Sequence, residues 1–412
     1  MTERVFFPSV LLILAACGGG PEAEFRTVVQ DSAGVRVVEN RGLSALGALG
    51  WSVEEQPVLD LGGAASAPEL YQVMDAVRLQ DGRIVVASNG SKALQVYSPD
   101  GQHLQTIGRE GEGPGEFQSV LWVGRLPGDT IAAWDPSLGR LSVFGPDASL
   151  VRVVTPRGSL GLLPRAQGVL ADGRLVLATG AGAGVGASPQ SRAYRDTLTY
   201  VVLGNDGALA DTLGRFPGTE MIGIGGPGAG LLLRPLPFGR TTSAAVHEGR
   251  VYISTGDRYE IGAYSPGTGL QAVIRADRDP VPVTQQDIRD YREALVTLGG
   301  DGGARQDRQR DQLLDEAPYP ETMPPLTALE VDAEGNLWAE EPRKPGSEQG
   351  SLWTVLSPQG VARGTVRLPR GLRVKQIGVD WILGVALDEN DVEHVRLHRL
   401  TKPAGGRATN RS

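Results

Sequence analysis

One cysteine, Cys17, occurs in 412 residues, so no disulfide can form within the chain and the body of the protein holds no thiol for a Cys-His site. No G-x-S-x-G run is present, which removes the nucleophile elbow of serine hydrolases. Lysine and arginine form no block and the formal charge is −8, which argues against nucleic acid as a partner, because a phosphate backbone calls for a basic face. Histidines number four, His103, His247, His394 and His398, and they fall in or beside strand-like runs of different repeats. His394 and His398 share one face of an outer strand, far from any axial metal site, and read as packing residues. The run at 223–228, GIGGPG, fits G-x-G-x-x-G, but no βαβ unit surrounds it and Pro227 stands where a helix would start, so it reads as a loop.

What the chain has in quantity is glycine (57) and proline (28), with 40% apolar residues, the composition of a large, turn-rich globular protein. The stretch 71–117 shows its organisation. Four short apolar runs, 73–79, 83–88, 93–98 and 103–107, are separated by turn residues, with Asp81-Gly82 and Pro99-Asp100-Gly101 at the first and third connections. That is one four-stranded antiparallel sheet, too small to cover its own faces, so it needs further copies to stack on. The pattern recurs at 120–154, 168–216, 242–275 and 326–368. A last copy at 374–400 is one strand short. The orphan run 57–61 supplies the missing strand, because a ring of sheets must close if no edge is to stay bare. The expected fold is all-β: a six-bladed β-propeller of four-stranded antiparallel blades, closed by an N-terminal strand, spanning 26–401, with a disordered tail at 402–412.

The first twenty residues, MTERVFFPSVLLILAACGGG, hold one Arg, an apolar core at 5–16 and then small residues, which reads as a secretory signal too short to span a membrane. Leu14-Ala15-Ala16-Cys17 resembles the lipobox of bacterial lipoproteins. That resemblance implies a signal peptide over 1–17, acylation of Cys17 and, because Gly18 rather than Asp follows, placement at the outer membrane or cell surface, with the chain facing the periplasm as the alternative. Residues 18–25 form a flexible tether. The segment DGRIVVASNGSKALQVYSPDGQHLQTIGREGEGPGEF resembles the NHL-type propeller repeat, and the chain over about 25–401 is similar to bacterial six-bladed propeller lipoproteins. NHL repeats imply a binding platform and no particular reaction.

In a four-stranded antiparallel blade the first and third connections lie on one side of the disc, and the second connection and the link to the next blade lie on the other. All the Asp-Gly-type turns fall on the first side. The long segments, 108–117, 180–196, 217–239, 277–325 and 341–350, all fall on the second. Function on scaffolds sits on elaborated loops. The largest insertion opens with Thr284 and Asp287 spaced as a capping box, and Ile288, Tyr291, Leu295 and Leu298 then recur at helical spacing, so a helical insertion is expected over about 284–315.

Candidate binding residues are those that these loops present. Arg109 and Glu110 flank the Gly-Pro-Gly element, where an Arg-Glu contact is expected to lock a glycine turn. Asp135, Asp257, Glu340 and Glu341 end second strands and open onto the elaborated side, with Arg343 beside the last two. Arg258 and Tyr259 complete a polar cluster with Asp257, and Arg258 is placed to receive an anionic group. The strand tryptophans read as packing between blades, with stacking on a sugar as the alternative for any that faces the channel. Two functions remain open at this point. One is a monomeric, lipid-anchored scaffold without catalytic residues or cofactor that binds a protein, peptide or carbohydrate through its loop-rich face. The other is a Ca²⁺-dependent hydrolase or lyase of the lactonase-like propeller class, which needs several acidic oxygens meeting at one ion on the axis.

Overall fold

A computed structural model describes residues 24–62, 68–180, 193–224, 232–298, 311–312 and 314–403. Its strands form six sheets, I to VI in chain order. Sheet I holds Val73–Arg78, Ile84–Ser88, Ala93–Tyr97 and His103–Ile107. Its two middle strands are buried at every residue, because neighbouring sheets cover both faces, whereas the outermost strand is buried only at Ile107. Gly82 and Gly101 turn the chain with φ of 89° and 87°, a conformation that costs glycine nothing.

The innermost strands of the other sheets are Trp122–Leu126, Leu162–Val169, Ser243–His247, Ala328–Val331 and Arg373–Ile377. Each touches the innermost strand of the next sheet, and that of sheet VI touches that of sheet I. Six apolar clusters follow the same cycle. Val85, Leu94, Val123 and Ile131 join I to II, for example, and Leu383, Val385, Val73 and Ile84 join VI to I. Burial between sheets, at roughly 25 cal/mol per Å² of apolar surface, therefore holds a closed ring. This is the arrangement of a β-propeller.

The start of the chain closes the ring as expected. Leu59–Leu61 pairs antiparallel with Glu393–Thr401 of sheet VI, with Asp60 opposite Arg396. Ser52–Val53 adds a second short pairing further along the same strand. Lys402, expected to begin a disordered tail, is instead held: its Nζ lies 3.3 Å from Asp332 Oδ2 and 4.4 Å from the Trp51 ring centroid.

Two features depart from the expectation of uniform four-stranded sheets. Arg26–Ser32 and Val35–Arg41 form a hairpin that docks on sheet IV, where Val35–Arg41 runs parallel to Gly269–Ala276. Asn40 fixes it there, donating to Gly360 O at 2.9 Å and accepting from Ala362 N at 2.9 Å. Sheet III has a fifth strand, Leu232–Pro235, paired with the far end of a 16-residue strand, Leu209–Ile224. Most of the expected loop 217–239 is thus a hairpin extension, and within 223–228 Gly223 and Ile224 are strand residues while 225–228 lie outside the described residues.

The insertions meet on one side. Helix α1 (Gln285–Leu298) begins with the anticipated capping box: Thr284 N and Oγ1 donate to Asp287 Oδ2 at 2.8 and 2.6 Å, and Asp287 N donates back to Thr284 Oγ1 at 3.2 Å. Its Tyr291 and Leu295 pack with Ile222 and Leu236 of the sheet III extension and with Leu314, forming a small seventh core. Lys344 of the 341–350 segment reaches Asp287 Oδ2 at 3.2 Å. The stretch 299–310 lies outside the described residues, as do Cys17 and the rest of 1–23.

Candidate functional site

The structure divides the sequence candidates into two groups on opposite parts of the ring. Between sheets I and II, Arg109 Nη2 lies 2.7 Å from Glu116 Oε1, and Glu116 Oε2 accepts from Gly113 N at 2.8 Å. The Gly113 amide first, and Arg109 second, hold the Glu116 carboxyl below its usual range. Arg140 closes the same turn by donating to Glu112 O at 2.8 Å and Glu116 O at 2.9 Å. Glu110 forms a backbone bridge with Phe117. These contacts lock a turn, in line with the Arg-Glu reading of the sequence.

Asp135 is 1% exposed. Its Oδ2 accepts from Gln118 N and Ser119 N at 2.7 and 3.0 Å, and its Oδ1 from Ser137 N and Leu138 N, both at 2.9 Å. Four amides use its lone pairs, so the structure shows it organising two loops.

The second group gathers between sheets IV and V. Asp257 Oδ1 pairs with Arg195 Nη1 at 2.8 Å and with Arg240 Nε at 3.6 Å. Arg240 in turn donates from its backbone N to Glu220 Oε2 at 2.7 Å, so the network ties the sheet III extension to the loops of sheet IV. Buried Glu341 pairs with Arg278 and accepts from Thr354 Oγ1 at 2.9 Å. Glu340 accepts from Thr327 Oγ1 at 2.7 Å, and burial raises its carboxyl above the usual range while Arg343, exposed nearby, opposes that rise. Tyr259 is buried beside them, and burial raises its phenol.

Arg258 differs from its neighbours. It is exposed, and its side chain makes no hydrogen bond or ion pair among the described residues. It stands between two cavities of about 310 Å³ each. One is lined by Phe216, Thr255 and Tyr264, the other by Arg240, Tyr259, Arg278 and Met323. The second cavity is walled by loops of the elaborated side, including 277–281, 322–325 and Pro342. An uncommitted guanidinium beside a pocket of mixed polar and apolar lining suits a planar anionic group such as a carboxylate or phosphate.

Sequence reasoning missed a third cluster. Asp75, Glu330 and Lys375 face the axis from sheets I, V and VI in a cavity of about 850 Å³. Lys375 Nζ lies 3.9 Å from Asp75 Oδ1. Burial raises Asp75 to about 6 against the pull of Lys375, and burial with the charge of Asp75 raises Glu330 to about 8. Each residue sits alone in its own strand, and only ring closure brings them together. Among the described residues no group of three or more His, Cys, Asp or Glu is placed to hold a metal ion, and no helix is long and apolar enough to cross a membrane.

The class that this topology defines is the β-propeller, and the comparisons with known proteins go no further. No family model matches the chain and no curated protein matches it. Among solved structures, it is similar to a Bacteroides fragilis protein named as exported, at 12% identity and a TM-score of 0.48, covering 89% of this chain and 100% of that one. A DUF4221 family member from Bacteroides vulgatus matches at 10% identity and a TM-score of 0.48, with 85% and 98% covered. A virginiamycin B lyase from Staphylococcus aureus matches at 10% identity and a TM-score of 0.40, with 85% and 99% covered. At these scores nothing below rests on them.

Proposed function

We propose that the chain is a six-bladed β-propeller with NHL-like repeats, lipid-anchored through Cys17 at the outer membrane or cell surface, that binds a protein, peptide or carbohydrate through its loop-rich side. The observation that carries this reading is Arg258, an exposed cation with no side-chain partner among the described residues, set between two pockets on the side where the insertions of sheets III, IV and V pack together. Arg258 receives an anionic group of the ligand, the neighbouring pocket takes the apolar part, and Asp257 and Tyr259 frame it. Arg278 forms part of the wall rather than the contact, since it is already paired with buried Glu341. Asp257, Glu340 and Glu341 are held by arginines or hydroxyls, so they serve the pocket as structure.

A binding experiment with polygalacturonate and polyglutamate as anionic probes, run at low salt, tests the site. The wild-type protein binds at least one of them, and Arg258→Ala weakens that binding about tenfold or more, the cost of removing a charge-assisted contact. Equal binding by the variant contradicts the assignment. The anchor is tested separately: Cys17→Ser releases the protein from the membrane fraction if Cys17 is acylated, and leaves it there if it is not.

A further inference from the structure

The axial cavity of about 850 Å³ is a different site from the loop-side pocket, and it opens in the other direction. Its lining runs along the inner strands to the tight turns at Gln80, Pro127, Ala171, Glu248 and Ala333, so its mouth lies on the side with the short turns. Its size falls within the range of small-molecule sites. The walls are unlike one another. Sheets V, VI and I contribute Glu330, Lys375, Gln376 and Asp75, whereas sheets II, III and IV contribute mainly Trp122, Ala166, Val169 and Val246.

The charges on the polar wall are unequally matched. Asp75 accepts from Ala76 N at 3.0 Å and Val123 N at 3.2 Å and has Lys375 beside it. Lys375 Nζ also donates to Met74 O at 2.6 Å. The Glu330 side chain has no hydrogen bond or ion pair among the described residues. Its carboxyl is enclosed by protein yet still touches the cavity's solvent, and it competes with Asp75 for the same lysine. Glu340 adds a further negative charge from its own sheet, while Arg125 faces the cavity from sheet II and His247 and Glu248 from the mouth. What Glu330 lacks, among the described residues, is a cation in direct contact.

In a ring of six, sheet II lies opposite sheet V, so Trp122 and Glu330 line the cavity from opposite walls, with part of the indole packed on the core between sheets II and III. The indole folds over Gly124 of its own strand, where a Cβ would meet the ring at 2.3 Å. Glycine at 124 therefore leaves the ring room against its own strand. An aromatic ring on the wall opposite a carboxyl that no cation contacts directly, with the Gln376 amide nearby, matches a ligand with an apolar ring face, hydroxyls and a positive charge.

We propose that the axial channel binds a small saccharide carrying a protonated amine, its ring face on Trp122 and its ammonium at Glu330. The ammonium supplies the missing cation. Because the empty site favours the protonated carboxyl, forming the ammonium–carboxylate pair releases a proton.

Calorimetric titration near pH 6.5 with the disaccharide of glucosamine and with its N-acetylated counterpart tests this, each in two buffers of different ionisation enthalpy. The amine-bearing sugar is expected to bind at least tenfold more tightly and to release close to one proton per site. Glu330→Gln keeps the side chain's shape and is expected to fold, to bind both sugars equally and to release no proton. Trp122→Phe keeps a smaller ring and is expected to weaken both sugars severalfold with its preference intact. Equal affinities in the wild-type protein, binding of neither sugar, or a preference that survives Glu330→Gln overturns the proposal.

Discussion

Asp60 holds His394: the Asp60 Oδ1 to His394 Nδ1 distance is 2.6 Å, across 334 residues of sequence. The same carboxylate accepts from Arg396 Nε at 3.0 Å. One aspartate from the beginning of the chain thus grips two side chains of the last strand, and His398 Nδ1 adds a contact to Glu54 O at 2.8 Å. The two histidines that the sequence placed on one face of an outer strand fasten the ring.

Replacing Asp60 with alanine removes both contacts and leaves buried His394 without its Nδ1 partner. Unfolding in urea is expected to show a loss of about 1–3 kcal/mol, the range for orphaning a buried polar group. A double-mutant cycle with His394→Ala is expected to show coupling, and strict additivity would mean that the contact is not formed.

Asp135→Ala strands four backbone amides. A loss of about 2–4 kcal/mol is expected from the cost of unsatisfied buried donors. Asp135→Asn keeps one acceptor oxygen and is expected to lose less. Thermal denaturation of the two variants, ranked alanine below asparagine below wild type, checks this.

Glu330 and Asp75 give stability a pH dependence of defined sign. Their carboxyls are raised when folded, to about 8 and about 6, so the folded state holds protons that the unfolded chain has released. Stability contributed by the protonated groups is present below the unfolded values and is lost as pH rises, through about 6 for Asp75 and about 8 for Glu330. Glu330→Gln is expected to be more stable than wild type above pH 8, by about 1–2 kcal/mol after allowing for solvent in the channel, and indistinguishable from it near pH 4. An equal difference at both pH values would show that Glu330 titrates normally.

Arg278→Ala leaves Glu341 charged and buried without its ion-pair partner. A loss of about 3–5 kcal/mol is expected, larger than for a surface pair. Arg278→Ala combined with Glu341→Gln is expected to recover part of it in the same denaturation assay.

Much of this fold was legible because its signals are local. Asp-Gly turns and strand-length apolar runs mark sheet I to within a residue or two, and Thr284 with Asp287 marks the start of α1. The closing strand was legible by subtraction, since the last repeat lacks one strand and 57–61 lacks partners. Other features are set at long range. The docking of the N-terminal hairpin depends on Asn40 meeting Gly360 and Ala362, some 320 residues away, and no local pattern carries that. The extension of Leu209–Ile224 was hidden by Gly214, Pro217 and Gly218, which read as a break. Proline is tolerated there because the strand has an unpaired outer edge at that point. Among the candidate residues, Asp257, Arg258 and Tyr259 could be grouped from the sequence because they adjoin in it, whereas Asp75, Glu330 and Lys375 are brought together only by the ring.

The most direct test of the closed ring is a cysteine pair at Asp60→Cys and Arg396→Cys in a Cys17→Ser background. These residues are directly opposed in the antiparallel pair, a spacing that a disulfide accepts. The account predicts that mild oxidation forms the bond within one molecule and raises the Tm of the oxidised form above that of the same variant reduced. Thiols that stay reduced, or that link only between molecules, would contradict it.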